Sequence, residues 1–169
     1  ANRALMIQPA TRSRVVLFGD SITEFWSIDV AAAPGLQLIN RGIAGQNSSQ
    51  MLLRFEDDVV ALRPNGVVIL AGTNDLRAYV GDPAQLGDSA LDRIQRNLTA
   101  VADIADARKI SIFPCLLTPA GTDTAVLRSP PAILAVHTVL AHFAIQSTSR
   151  RYHSTPDRVG GRGCLYAAP

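Results

Sequence analysis

Four consecutive apolar residues, Val15-Val16-Leu17-Phe18, run directly into Gly19-Asp20-Ser21. A run with no polar alternation is what a strand buried on both faces requires, and such strands belong to parallel sheets covered by helices. The pattern recurs at Leu36 to Ile39, at Gly66 to Ala71 (GVVILA) and at Ile110 to Phe113, each run short and punctuated by Gly, Pro or Asn. Between these runs the apolar period changes to that of a helix. Met51, Leu52, Phe55, Val59 and Leu62 form one amphipathic stripe over Ser48 to Leu62, with Asn47 to Ser49 as a cap and Pro64 as a stop. A second stripe runs through Leu91, Ile94, Leu98, Val101 and Ile104. A third follows Pro130 and Pro131 through Ile133, Leu134, Leu140 and Phe143. Strand and helix alternate, which predicts an α/β fold: a three-layer α/β/α sandwich around a parallel, flavodoxin-like sheet.

Composition narrows what such a domain does. A chain of 169 residues, 47% hydrophobic and 18% charged, suits one domain with its own core. The formal charge of +2 and pI near 8.8 come from scattered arginines, so no nucleic-acid footprint is expected. No apolar stretch is long enough to span a bilayer. Neither G-x-G-x-x-G nor G-x-x-x-x-G-K-[ST] occurs, which argues against a dinucleotide or P-loop site. Cys115 and Cys164 suggest two ordinary thiols rather than a disulfide framework or a metal site.

Three polar clusters fall at the carboxyl ends of the first three predicted strands, where open parallel sheets place their chemistry. They are Gly19-Asp20-Ser21, the segment NRGIAGQN (Asn40 to Asn47) and GTND (Gly72 to Asp75). Ser21 is a candidate nucleophile, or alternatively an ordinary helix N-cap. Gly45 can bring a bare backbone N–H to a substrate oxygen, and Asn74 can offer a side-chain NH₂ to the same point. The plainer readings are a turn needing positive φ and an amide closing a loop. Phosphoryl transfer is a further possibility, with Asp20 as nucleophile and Asp75 as a second carboxylate for Mg²⁺.

FGDSITEFW, NRGIAGQ and GTND together resemble, in order and spacing, the first three sequence blocks of the SGNH or GDSL hydrolases. The likeness is to bacterial lysophospholipase-like or acylesterase members and covers Val15 to about His153. It implies a serine esterase on a flavodoxin-like sheet. Ser21 would be the nucleophile, and the Ser21 N–H, the Gly45 N–H and the Asn74 side chain would be the oxyanion donors. It implies a small-molecule ester substrate and no metal or organic cofactor. The family's last block, an Asp three positions ahead of the catalytic His, has no counterpart here. His137, His142 and His153 are preceded at that spacing by Leu134, Val139 and Arg150, and Asp157 comes after all of them. His137 and His142 fall within the third predicted helix, and His153 sits beside Tyr152 on a predicted last strand. The expectation is therefore a single domain over residues 1–169, truncated or frame-shifted over about 154–169. It would keep a nucleophile and an oxyanion hole without an evident base. The expected activity is hydrolysis of carboxylic esters through an acyl-Ser21 intermediate; the alternative is a non-catalytic remnant or ligand-binding module on the same fold.

Overall fold

The VVLF run lies within β1 (Ser13–Gly19), where Val16 and Phe18 are buried. The computed structural model describes residues 12–28, 31, 33–76, 87–117 and, further along, 134, 136–138 and 140. Three more strands follow: β2 (Leu36–Gly42), β3 (Gly66–Leu70) and β4 (Ser111–Pro114). All pair in parallel in the order β2-β1-β3-β4, the doubly wound arrangement expected. The four strands predicted between Val15 and Phe113 each fall within these elements or within one residue of them.

Helices alternate with the strands and complete the three-layer α/β class. They are α1 (Ser21–Glu24), α2 (Ser48–Asp58) and α3 (Gly87–Ala107), and α2 and α3 pack on each other. The start of α2 is set by a capping box. The Gln50 N–H donates to the Asn47 side chain and the Asn47 N–H donates to the Gln50 side chain, each at 3.0 Å. Its end differs from the expectation of one helix through Leu62. The helix closes at Asp58 and tightens into a 3₁₀ turn at Val60–Leu62. A residue before proline is disfavoured in the right-handed helical region, and Arg63, before Pro64, turns left-handed with φ 49°.

The core joins the sheet to these helices. Phe18 of β1 and Phe55 of α2 meet edge to face with ring centroids 5.5 Å apart. From α3, Ala90, Ile94, Leu98, Val101 and Ala105 form one buried stripe; of the predicted stripe Ile94, Leu98 and Val101 are buried, while Leu91 and Ile104 are half-buried against its edges. Helical residues also occur at 134, 136–138 and 140; of the predicted stripe Leu140 is buried and Leu134 is not, and Ile133 and Phe143 lie outside the described residues. Val136 and Leu140 are buried whereas Leu134 is 65% exposed, because its neighbours on the core side are set by tertiary packing, which periodicity alone does not fix. Cys115 is disulfide-bonded, its other half lying outside the described residues, so it is not the free thiol expected. The predicted strand near Tyr152 and the segment 154–169 also lie outside the described residues. No helix among the described residues is long and apolar enough to cross a membrane.

Leu98 is 3% exposed within the α3 stripe. Leu98→Ala is expected to cost about 2 to 5 kcal/mol, the range for truncating a buried leucine. Urea denaturation checks this: the midpoint falls with the slope kept, and an unmoved midpoint would take the stripe out of the core.

Candidate active site

Gly19, at the end of β1, stands opposite Gly42 of β2 on one side and Leu70 of β3 on the other. The three strands therefore end level. Their loops, at 20–21, 43–47 and 71–75, emerge side by side at the carboxyl edge of the sheet.

Asp20 is 1% exposed, and its Oδ1 accepts the Ile22 N–H at 2.9 Å, capping α1. The ordinary role open to Ser21, that of helix cap, is thus taken by its neighbour. Among the described residues neither the N–H nor the Oγ of Ser21 is paired with a protein group. The first N–H groups of a helix have no intrahelical acceptor, so this donor points out from the helix start.

Gly45 has φ +78°, and a Cβ added there would meet nothing within 4 Å. Glycine is required here for backbone conformation, not for room. Its own N–H has no acceptor among the described residues, yet both its neighbours are held. The Ala44 N–H donates to Glu24 Oε2 at 2.7 Å, and the Gln46 side chain accepts from Arg54 Nε. Further back in the loop the Ile43 N–H donates to Gly19 O at 3.0 Å.

Asn74 joins the other two loops. Its Nδ2 donates to Gln46 O at 2.9 Å and, over a longer 3.3 Å, to Asp20 Oδ2. The structure thus brings the loops of Ser21, Gly45 and Asn74 together at one end of the sheet.

The next residue, Asp75, faces away from them. Buried at 4% exposure, it accepts the Ser48 N–H at 2.8 Å and the Ser48 Oγ–H at 2.6 Å, with Arg93 Nε 3.8 Å away. Both carboxylates of the phosphoryl-transfer alternative are therefore committed to helix starts. Among the described residues no group of three His, Cys, Asp or Glu could hold a metal ion.

Two residues that sequence reasoning passed over fix the loops. Asn40 Nδ2 donates to Thr23 O at 2.6 Å while its Oδ1 accepts the Gly42 N–H at 2.8 Å, locking α1 onto β2. Arg54 of α2 lies with its guanidinium 4.2 Å from the Phe18 ring centroid. It donates to Gly19 O at 3.0 Å, to Arg41 O at 2.9 Å, to Asp58 at 2.8 Å and to the Gln46 side chain. Burial lowers its pKa, opposed by the hydrogen bond and charge of Asp58; an arginine remains a cation throughout. The only sequence signal for Arg54 is its phase, three residues after Met51 and next to Phe55. His137 Nε2 lies 3.0 Å from Leu117 O, so that nitrogen is the protonated one and donates to the carbonyl. His142 and His153 lie outside the described residues.

A level-ended parallel sheet with Gly-Asp-Ser on its first loop, tied through Asn74 to the second, defines a GDSL-type member of the flavodoxin-like α/β class. The chain belongs to the GDSL-like Lipase/Acylhydrolase family, whose sequence model matches residues 17–148. Among solved structures it resembles a putative acylhydrolase from Bacteroides fragilis: TM-score 0.67, 32% identity, 87% of this chain and 70% of that one covered. A GDSL-like lipase from Bacteroides thetaiotaomicron superposes with TM-score 0.65 and 32% identity over 88% and 70% of the two chains. The uncharacterized lipoprotein YqeF of Bacillus subtilis is 31% identical over 119 residues, 62% of this chain. The match spans about half of that relative, 47% of its length. An acetylxylan esterase of Geobacillus stearothermophilus is 38% identical over 42 residues, 25% of this chain and 19% of that protein.

The seating of α1 on β2 separates the glycine that ends β2 from the one in the loop after it. A Cβ on Gly42 would lie 2.0 Å from Glu24 N and 2.4 Å from Glu24 Cα. Those are backbone atoms, so Gly42→Ala must lift α1 and is expected to cost about 3 kcal/mol, the upper part of the overpacking range. Gly45→Ala meets open space and bears only the strain of a left-handed alanine, about 1 kcal/mol. Thermal melting of both variants checks the order; equal losses would mean that α1 does not rest on Gly42.

Proposed function

We propose that the chain carries a serine ester hydrolase site in which Ser21 attacks the carbonyl carbon of a carboxylic ester. The developing oxyanion is received by the N–H groups of Ser21 and Gly45 and by the Asn74 amide. The observation that carries this reading is that Asp20, not Ser21, caps α1, while Asn74 bridges the Asp20 and Gln46 positions that flank the other two donors. Asn74 would turn its long bond with Asp20 toward the oxyanion, keeping the shorter one to Gln46 O. In the reaction the Ser21 Oγ–C bond forms and the ester C–O bond breaks, the alcohol leaving with a proton. Water then hydrolyses the acyl-serine. The acetylxylan esterase similarity suggests short acyl groups, so an acetyl ester is the first substrate to test.

A second reading, a pocket that binds an ester without turning it over, is favoured by a specific observation. No Asp stands three residues before any His in these 169 residues. Serine attack needs a base to take the Oγ proton.

Hydrolysis of p-nitrophenyl acetate tests both. With no base at Ser21 the turnover is slow, and Ser21→Ala lowers it little further, because residues of a catalytic unit are not additive. Asn74→Ala still lowers it, by up to roughly 3 kcal/mol of transition-state stabilisation, since the donor serves attack by water as well. A large loss on Ser21→Ala would establish a base and overturn the impaired reading; His153→Ala must then match it. An unchanged rate on Asn74→Ala would remove the oxyanion assignment.

A further inference from the structure

Arg54 is a charged helix residue that most of the solvent does not reach, its side chain being 13% exposed. A desolvated cation persists only where its donors are satisfied. What satisfies them is unusual in its distribution. One partner, Asp58, lies on the same helix at i+4. The other three lie at the carboxyl end of the sheet: Gly19 O, the last residue of β1; Arg41 O, next to the end of β2; and the Gln46 side chain, in the second loop one residue after Gly45. The Phe18 ring, under the guanidinium at 4.2 Å, fixes the plane in which these bonds are made.

We propose that Arg54 is a positioning residue, a rigid fork that sets the Gly45 loop at its distance from the Ser21 turn. The inference rests on the reading of Ser21 and Gly45 as parts of one oxyanion site. Gly45 has open space around it, so packing does not hold its N–H in place; the loop is oriented through its neighbours. Glu24 holds Ala44 from an exposed position, Asn74 holds Gln46 O, and Arg54 holds the Gln46 side chain while gripping the end of β1. Arg54 ties the ends of both strands, through Gly19 O and Arg41 O, to the Gln46 side chain of the second loop and to its own helix through Asp58. A planar guanidinium directs donors to several acceptors at once, which the point charge of a lysine on a flexible stem cannot reproduce. Geometry of this kind matters to rate because misplacement by about 1 Å costs on the order of a hundredfold.

The test compares the full chain with its Arg54→Met and Arg54→Lys variants by ¹H–¹⁵N NMR, thermal melting and p-nitrophenyl acetate hydrolysis. Both variants are expected to shift or broaden the amide signals of Gly45 and Ser21 while leaving those of Gly35 and Gly66 in place, with Arg54→Lys intermediate. The rate constant kcat is expected to fall about ten- to a hundredfold in Arg54→Met with KM kept within about twofold. Arg54→Lys, which keeps the charge and most of the stem, decides the matter if Arg54→Met does not fold. Unmoved Gly45 and Ser21 signals in a folded variant overturn the proposal, whatever the activity. Signals that move with kcat unchanged support the positioning and instead overturn the assignment of Gly45 as an oxyanion donor. Changes spread evenly over all the glycine amides would mark a general loss of structure and overturn the proposal as well.

Discussion

The site depends on the crowding at the end of β1. A Cβ on Gly19 would lie 2.0 Å from Thr23 Oγ1 and 2.9 Å from Leu70 O, and one on Gly42 would lie 2.0 Å from Glu24 N. With neighbouring strands ending level, α1 can fold back across them only if the residues beneath it carry no side chain. The close approach then brings Thr23 O within reach of Asn40 and Glu24 within reach of the Ala44 N–H. Register thus leads to contact, and contact to an ordered second loop. A side chain at either glycine would separate α1 from β2 before any catalytic group was touched.

Polar groups make up the rest of the scaffold, and their cost decides how they are arranged. A buried donor or acceptor without a partner costs about 1–3 kcal/mol, more when charged. Asp20, Asp75 and Ser48 are all buried, and each is paired through more than one bond. Asp75 serves α2 from another segment: its carboxylate takes the N–H and hydroxyl of Ser48, and Asn97 of α3 donates to Ser48 Oγ at 2.9 Å. The GTND loop is thereby anchored to two helices, which leaves the neighbouring Asn74 to face the other way. Arginines occupy both ends of the first strand pair. At the amino end Arg14 reaches Gln37 and the Leu62 carbonyl, and its N–H donates to Asn65. At the carboxyl end Arg54 does the corresponding work for the loops. Each joins β1 to β2 and to the segment behind them, so the ends of the pair are set by directed bonds as well as by the core.

Most of this fold could be read from patterns that are local. Runs such as VVLF and GVVILA mark strands because burial on both faces removes polar alternation, and the stripe Ile94, Leu98, Val101 marks a helix face because its period is 3.6. The cap of α2 was visible within Asn47 to Ser49, while its reciprocal bond with Gln50 emerged only in the structure. Features decided by tertiary contact were not. Leu134 has the same chemistry as Leu140, and only the position of its helix places one in solvent and the other in the core. Asp75 looked like a metal ligand because its partner, Ser48, lies 27 residues away. Arg54 looked like any charged helix residue, since nothing local tells that its acceptors are carbonyls 13 and 35 residues distant. At the carboxyl edge of the sheet, the meeting of the three loops that carry Ser21, Gly45 and Asn74 was legible from strand ends, whereas the bonds that hold those loops were not.

The groups that shape the site are distinct from the group that would drive it. Asp20, Glu24, Asn40, Arg54, Asn74 and Asp75 hold the three loops, and all of them lie in the first half of the sequence. The bonds described for them are made with residues between Gly19 and Arg93. An oxyanion hole contributes through dipoles set in place before reaction, worth about 10²–10³ per donor, while a general base contributes about 10²–10⁴ by moving a proton. Because the two terms arise from different groups, one can be intact while the other is missing. The effect of Ser21→Ala on turnover would therefore report on the base, whereas the placement of the Gly45 loop would report on the proposed hole. A chain of this kind can present a well-formed receptor for a tetrahedral carbon whether or not its serine is ever deprotonated.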